Sequence, residues 1–327
     1  MSTELAKRGH TVFLFCSCED EHIYKGVYYI PYENLEEYTD MFPDALITSR
    51  WFPQYYFDAG CKKIVWFQDA FFQNPDRPDS FLLADHIICS SRWHRQYIAE
   101  RLVHSLDGRK IQIVPLGIRK ELFTKAVERK PYKVIYSSNP DRGLYTLLDM
   151  WEEITKQVPQ IELSICYGWD GLKTWNNSNE WQASVANQER TTVEGFSKFG
   201  NVTFTGRLSK SKLAEEMLSS SLCLYPNNFW ETFCLTSLEM QAAGVPTITT
   251  DMGALSTTLK RDCNVLIEKD HYSKEYKEEF IQYVVYLLNN PSWLHGYSSD
   301  CRNYVFSNPT DWSDIASTWE EVILCQQ

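Results

Sequence analysis

The sequence predicts an α/β protein made of two Rossmann-like domains, and three observations carry that expectation. The first is size: 327 residues, 43% of them hydrophobic, supply two cores of ordinary dimensions. The second is alternation, because short β-branched and aromatic runs recur between amphipathic stretches, as they do where parallel strands are joined by crossover helices. The third is a charged segment from Arg119 to Pro131, poor in large apolar residues, which divides the runs into two sets as a linker would.

In chain order, Ser2–Arg8 reads as the end of a helix and Gly9 as its stop. A domain of this kind ordinarily opens with a strand and a glycine-rich turn before that helix, so the first domain is expected to lack its first strand. The strands expected in it are Thr11–Cys16, Val27–Ile30, Ala45–Thr48, Lys62–Phe67, Asp85–Cys89 and Ile111–Val114. Those expected in the second are Tyr132–Ser137, Ile161–Tyr167, Asn201–Thr205, Leu222–Tyr225, Thr247–Thr250 and Asn264–Ile267. A helix after Gly143 places Leu144, Leu147, Leu148, Trp151 and Ile154 on one apolar face. Asn289-Asn290-Pro291 ends another, and Asp311–Leu324 forms a last helix with Trp312, Ile315, Trp319 and Val322 to bury. The expected division is therefore residues 1–125, a linker at 126–131, a second domain at 132–308, and a terminal helix at 309–327 able to pack back on the first domain.

A net charge of −11 argues against nucleic-acid binding, which needs clustered Lys and Arg to neutralise phosphates. The run Ser91–Lys125 is the basic exception; a solvated helix face is the simpler reading, and contact with an anionic acceptor or a membrane surface is the alternative. Without an apolar stretch of roughly 20 residues or a signal-peptide core, the expectation is a cytoplasmic protein. Its ten cysteines, scattered through strand-like segments, read as free thiols, and no spacing of Cys and His suggests a metal site. His10, His86, His94 and His104 fall at turns or on helices and read as structural.

The segment from Tyr225 to Pro246 is the most informative: a strand end, a polar loop, a helix beginning near Thr232 and a stop at Gly244. Glu231 then stands at the helix mouth and Glu239 eight residues further on, about 12 Å along the axis. That exceeds the roughly 5–9.5 Å between paired glycosidase carboxylates, so an acid/base dyad across one bond is not expected. The two could instead grip the ends of one elongated ligand, with the backbone N–H groups of Thr232, Phe233 and Cys234 suited to a phosphate between them. The simpler alternative makes Glu231 a helix N-terminal charge and Glu239 a solvated side chain. No Gly-x-Gly-x-x-Gly or Walker motif follows any strand, which disfavours a dinucleotide oxidoreductase or a P-loop enzyme.

Glu231 and Glu239 with seven residues between them, followed by Ala242-Ala243-Gly244-Val245-Pro246, resemble the signature of retaining glycosyltransferases of family four. Phe204–Lys210, Tyr136–Leu144 and the Trp312–Trp319 helix extend the resemblance over residues 130–325. It implies a glycosyltransferase-B fold, in which two Rossmann-like domains face a cleft. It also implies a metal-independent enzyme without a cofactor that moves a hexose-type sugar from a nucleotide diphosphate sugar to a glycan, lipid or other hydroxyl acceptor. In that resemblance Glu231 binds the transferred sugar and Glu239 the ribose, while Arg142 neutralises the leaving diphosphate. Leu235 lies in the same loop and helix start, Gly206 and Arg207 approach base and phosphates, and Ser137, Ser138 and Asn139 occupy a stretch where relatives often carry a second basic residue. In the first domain Gln68-Asp69 stands where relatives have His-Asp facing the donor sugar, so Asp69 is the candidate there and Gln68 replaces a histidine. Trp169 or Trp175, in a polar-aromatic insertion, is a candidate for a cleft rim. A catalytically impaired sugar-nucleotide-binding or scaffold protein of the same fold is the competing expectation, motivated by Gln68 and the short N-terminus.

Overall fold

The computed structural model describes residues 1–49, 59–70, 83–102, 111–176 and 178–324. His104, Arg109 and Lys110 lie outside the described residues, as does the side chain of Trp175. The chain forms two compact units, Met1–Ile118 together with Pro309–Gln327, and Arg119–Asn308.

In the first unit, β1 (Val12–Cys16), β2 (His22–Tyr24) and β3 (Val27–Pro31) form a sheet in the order β1-β3-β2. Strands β4 (Ala45–Thr48), β5 (Lys62–Trp66), β6 (His86–Cys89) and β7 (Ile111–Ile113) follow as a parallel sheet in sequential order. The alternation of the sequence marks every one of these except β2. That strand is a fully exposed edge, antiparallel to β3 and joined to it through Lys25-Gly26, whose φ values of 51° and 78° are those of a tight hairpin turn. Its three residues carry no burial pattern that sequence reading could detect.

The terminal helix Trp312–Leu324 packs within this first unit. Ile315, Ala316, Trp319 and Val322 join Leu5, Ile64, Ile88 and Val114 in one core, and the Trp319 ring meets Trp66 edge-on at 5.1 Å. Arg8 reinforces the contact by donating to the Ser313 carbonyl, the Ser317 hydroxyl and Glu320. The two chain crossings of the unit lie side by side: Ile118 bridges Asp311, and a Cβ on Gly117 would come within 2.8 Å of the Trp312 backbone. The division therefore falls at Ile118/Arg119, ahead of the expected linker at 126–131. Those linker residues are part of the second unit, where the Arg129 guanidinium donates to the carbonyls of Ala243 and Gly244 and the Lys130 amide to that of Ser219.

The second unit is a six-stranded parallel sheet of β8 (Lys133–Tyr136), β9 (Glu162–Ile165), β10 (Val202–Phe204), β11 (Leu222–Tyr225), β12 (Thr247–Thr250) and β13 (Val265–Ile267), in the order β10-β9-β8-β11-β12-β13. Strands β11 and β12 are buried at every residue, as expected of strands covered on both faces. The helix Leu144–Gln157 buries Leu144, Leu147, Trp151 and Ile154, with the Trp151 indole donating to Asn201. Pro291 ends one helix at Asn289 and sits in the first turn of the next, where its missing N–H costs nothing.

The described cysteines are free thiols. Among the described residues, no helix is long and apolar enough to cross a membrane, and no group of three or more His, Cys, Asp or Glu is placed to hold a metal ion.

Candidate functional site

Strand β8 starts the second unit, and the chain then builds the sheet outward in both directions from it. The connections leaving the carboxyl ends of β8 and β11 thus part company, and such a switch point is where open parallel sheets bind ligands. Two loops meet there, Ser137–Gly143 after β8 and Pro226–Cys234 after β11. Their closeness is set by Gly143, which has φ 103° and would place a Cβ 2.0 Å from the Pro226 carbonyl oxygen. Only glycine fits.

That approach brings Arg142 to Glu231. The guanidinium donates to Glu231 Oε1 at 2.8 Å, the Tyr225 hydroxyl donates to the same oxygen at 2.7 Å, and the Phe229 ring lies 4.1 Å beneath the guanidinium carbon. Glu231 is only 6% exposed, and its backbone is fixed as firmly as its side chain. Its carbonyl accepts from the Ala254 amide at 2.7 Å, while Gly253, at φ 64°, passes so close that a Cβ would sit 2.5 Å from that carbonyl. Burial works against the charge on Arg142, yet Glu231, Tyr225 and Asp141 more than offset it and hold the proton tighter than usual. Neighbouring polar atoms are left over: Arg142 Nε and Asn139 Oδ1 are buried without a hydrogen-bond partner.

The helix of this segment is Leu235–Ala242, not one starting near Thr232. Thr232 and Phe233 belong to the tight turn before it, and Cys234 occupies the cap with φ 70°, a left-handed conformation that penalises a Cβ. The N–H groups that a helix start leaves without intrahelical acceptors are therefore those of Leu235, Thr236 and Ser237, displaced from the three expected. Glu231 lies in the loop ahead of the helix, so the rise of an α-helix does not measure its distance from Glu239. The Cys234 thiol is buried and accepts from the Ser237 hydroxyl at 3.1 Å; burial, reinforced by Glu231, keeps it protonated.

Glu239 points from this helix toward Lys210, 3.4 Å away at the start of the helix Lys210–Ser219. Burial raises its carboxyl above the ordinary range, and Lys210 only partly opposes the shift. Gly206, at φ 64°, turns the chain after β10, and Arg207 is exposed. Ser137 is buried, and the Ser138 hydroxyl donates to Tyr225 at 3.4 Å. At its far end the helix is anchored by two guanidinium groups, Arg129 on the Ala243 and Gly244 carbonyls and Arg302 on that of Ala242.

Gln68 and Asp69 lie in the first unit, directly after β5. The turn that carries them is tied from below by His94, a fully buried imidazole that donates from Nε2 to the Asp69 carbonyl at 3.1 Å and accepts at Nδ1 from the Ser90 amide. Burial favours its neutral form. Trp169 is buried beside Phe204 and lines no rim. Arg92, Arg95 and Arg101 are exposed, Arg101 stacking on Tyr97. The residues that sequence reasoning missed are Tyr225, which reads as an ordinary strand aromatic, together with Phe229 and Gly253. Each is recognisable only once the two loops are seen to converge.

Residues 133–290 match the family described as glycosyl transferases group 1. No curated protein matches the chain by sequence. Among solved structures, a sucrose-phosphate synthase from Thermosynechococcus elongatus is similar at TM-score 0.73 and 16% identity, over 98% of this chain and 90% of that one. The pneumococcal O-GlcNAc transferase GtfA, solved with UDP and GlcNAc, is similar at TM-score 0.66 and 15% identity, over 95% of this chain and 63% of that one. A glycosyltransferase from Rickettsia africae is similar at TM-score 0.76 and 13% identity, over 100% of this chain and 93% of that one. The fold is that of the glycosyltransferase-B enzymes, with two Rossmann-like domains, and the family match over the second domain supports a place in the glycosyltransferase superfamily.

The contact at Gly143 gives a direct test of how the loops are held. Gly143→Ala must move the Pro226 carbonyl and adopt a left-handed backbone, and is expected to cost about 2–4 kcal/mol in chemical denaturation. Unchanged stability would show that the loops do not depend on this contact.

Proposed function

We propose that the protein is a metal-independent, retaining glycosyltransferase of the family-four type, which moves a hexose-type unit from a nucleotide diphosphate sugar to a glycan, lipid or other hydroxyl acceptor. The observation that carries this reading is the adjacency of Arg142 and Glu231 at the switch point, a guanidinium beside a buried carboxylate at the mouth of a helix N-terminus. A diphosphate suits the guanidinium and the first N–H groups of the helix, and the unpartnered Arg142 Nε is a further donor for its oxygens. Glu231 is then the acceptor for hydroxyls of the transferred sugar, and Glu239 for those of the ribose. Ser137, Ser138, Asn139, Gly206 and Arg207 border the nucleotide side, and Asp69 and Gln68 are the residues that the family resemblance assigns to the donor sugar.

In the reaction Arg142 stabilises charge that develops on the leaving diphosphate, which takes the proton of the acceptor hydroxyl on the face from which it departs. No protein nucleophile is required. Gln68 cannot take up a proton near neutral pH, so that turn contributes hydrogen bonds only. Gln68 is also what favours the second reading, a sugar-nucleotide-binding protein with impaired transfer.

A thermal-shift panel of UDP-, GDP- and ADP-sugars tests the assignment, since a ligand that binds the folded state alone raises its melting temperature. One nucleotide class should stabilise the protein, and Glu231→Ala should abolish transfer from that donor while the fold persists. Transfer at the wild-type rate in Glu231→Ala would sink the assignment. Detectable transfer by the wild type would exclude the binding-only reading.

Glu239 adds a pH signature. Because the fold raises its carboxyl above the ordinary 4.5, the protonated form is the one that stabilises the protein, an effect complete below 4.5 and lost as pH rises through the raised value. Ribose hydroxyls need the ionised form, so nucleotide affinity should fall as pH drops through that same value. Titration calorimetry across this range should find the fall in wild type and not in Glu239→Gln; an identical pH profile in both would contradict the role.

A further inference from the structure

Glu231 Oε1 receives two donors, and they differ in freedom to leave. Arg142 reaches it at 2.8 Å from a loop, with about a third of its side chain exposed. Tyr225 reaches it at 2.7 Å from the last position of β11, with its residue 3% exposed and its ring edge-on to Tyr136 at 6.1 Å. The phenol is itself held in orientation by the Ser138 hydroxyl, which donates to it at 3.4 Å. Burial, with the negative charge of Glu231, pushes the Tyr225 hydroxyl well above its ordinary pKa of 10, so it is a donor at neutral pH.

A bound diphosphate competes with Glu231 for the guanidinium of Arg142, the one beside it among the described residues. Once Arg142 turns to phosphate, Tyr225 is the only side-chain donor left on Glu231 among the described residues. A carboxylate at 6% exposure without a donor would carry an unmet desolvation cost and would rotate away or take up a proton. We propose that Tyr225 is a positioning residue that keeps Glu231 ionised and facing the sugar while Arg142 serves the diphosphate, with Ser138 orienting the phenol. The role rests on the donor-site reading above. It also gives Ser138 a function at the stretch where the family resemblance leads one to expect a second basic residue: the hydroxyl chain Ser138–Tyr225–Glu231 supplies a fixed neutral donor to the sugar side and leaves the positive charge free for phosphate.

The test is Tyr225→Phe, which removes one oxygen and keeps the ring that fills the core, with Ser138→Ala as a second variant that leaves the phenol in place. For wild type and both variants, the affinity for UDP, GDP and ADP is measured by calorimetry, and the affinity and turnover for the matching nucleotide sugar alongside it. A charge-assisted hydrogen bond predicts a loss in turnover of about 10- to 100-fold in Tyr225→Phe with nucleoside diphosphate affinity within about twofold of wild type, and a weaker loss of turnover in Ser138→Ala. A wild-type protein that binds none of the diphosphates overturns the donor-site reading and this role together. With binding intact, two results overturn the role of Tyr225 alone: turnover in Tyr225→Phe within about twofold of wild type, or nucleoside diphosphate affinity lost in proportion to turnover, which marks a general disturbance of the site.

Discussion

The ion pair between Arg142 and Glu231 is the constraint around which the second unit is arranged. A carboxylate this deeply buried is tolerable only if its lost hydration is replaced, and removing one partner of such a pair typically costs about 3–5 kcal/mol. Two glycines at positive φ bring the backbones together, Gly143 against Pro226 and Gly253 against Glu231. Phe229 covers the guanidinium and Tyr225 supplies the second donor. These features fix a carboxylate and a cation 2.8 Å apart.

The rest of the unit makes that arrangement stiff. The helix Leu235–Ala242 follows directly from the site loop, and its far end is tied down by Arg129 and Arg302. The buried Gln241 side chain joins the same helix to the Thr258 carbonyl and the Lys260 amide, so the chain that returns through Gly253 is anchored to it as well. Sites built on supported elements of this kind hold their geometry to within a fraction of an ångström, which electrostatic stabilisation of a leaving group requires. In the first unit the Gln68-Asp69 turn has a comparable support in His94, whose two ring nitrogens are both hydrogen-bonded to backbone.

Much of this was legible in the sequence, because strand alternation and helix faces are short-range patterns. Strands β4, β11 and β12 have the bounds their residues predict, and the Leu144–Gln157 helix buries the expected face apart from the half-buried Leu148. The spacing of Glu231 and Glu239 pointed to the loop that carries the candidate site. What the sequence hid was non-local or depended on backbone angles. Cys234 at φ 70° delays the helix start past Thr232 and Phe233, and a cysteine announces no left-handed residue as a glycine would. Tyr225 looks like any strand aromatic until the hydroxyl is seen on Glu231. The division at Ile118/Arg119 lies next to the contact of Gly117 with Trp312, between segments far apart in the chain, whereas the charged composition of Arg119 to Pro131 suggested a linker at 126–131.

Glu231 holds Arg142 in this structure, and in the proposed reaction it yields the guanidinium to a diphosphate. Calorimetric titration of wild type and Glu231→Gln with the nucleoside diphosphate that stabilises the protein tests it most directly. Glutamine keeps the shape and removes the competing charge, so the variant is expected to bind the diphosphate more tightly, by about tenfold, or 1.4 kcal/mol. Binding weakened by a similar factor would contradict it, because Arg142 would then not be the group that the diphosphate takes from Glu231.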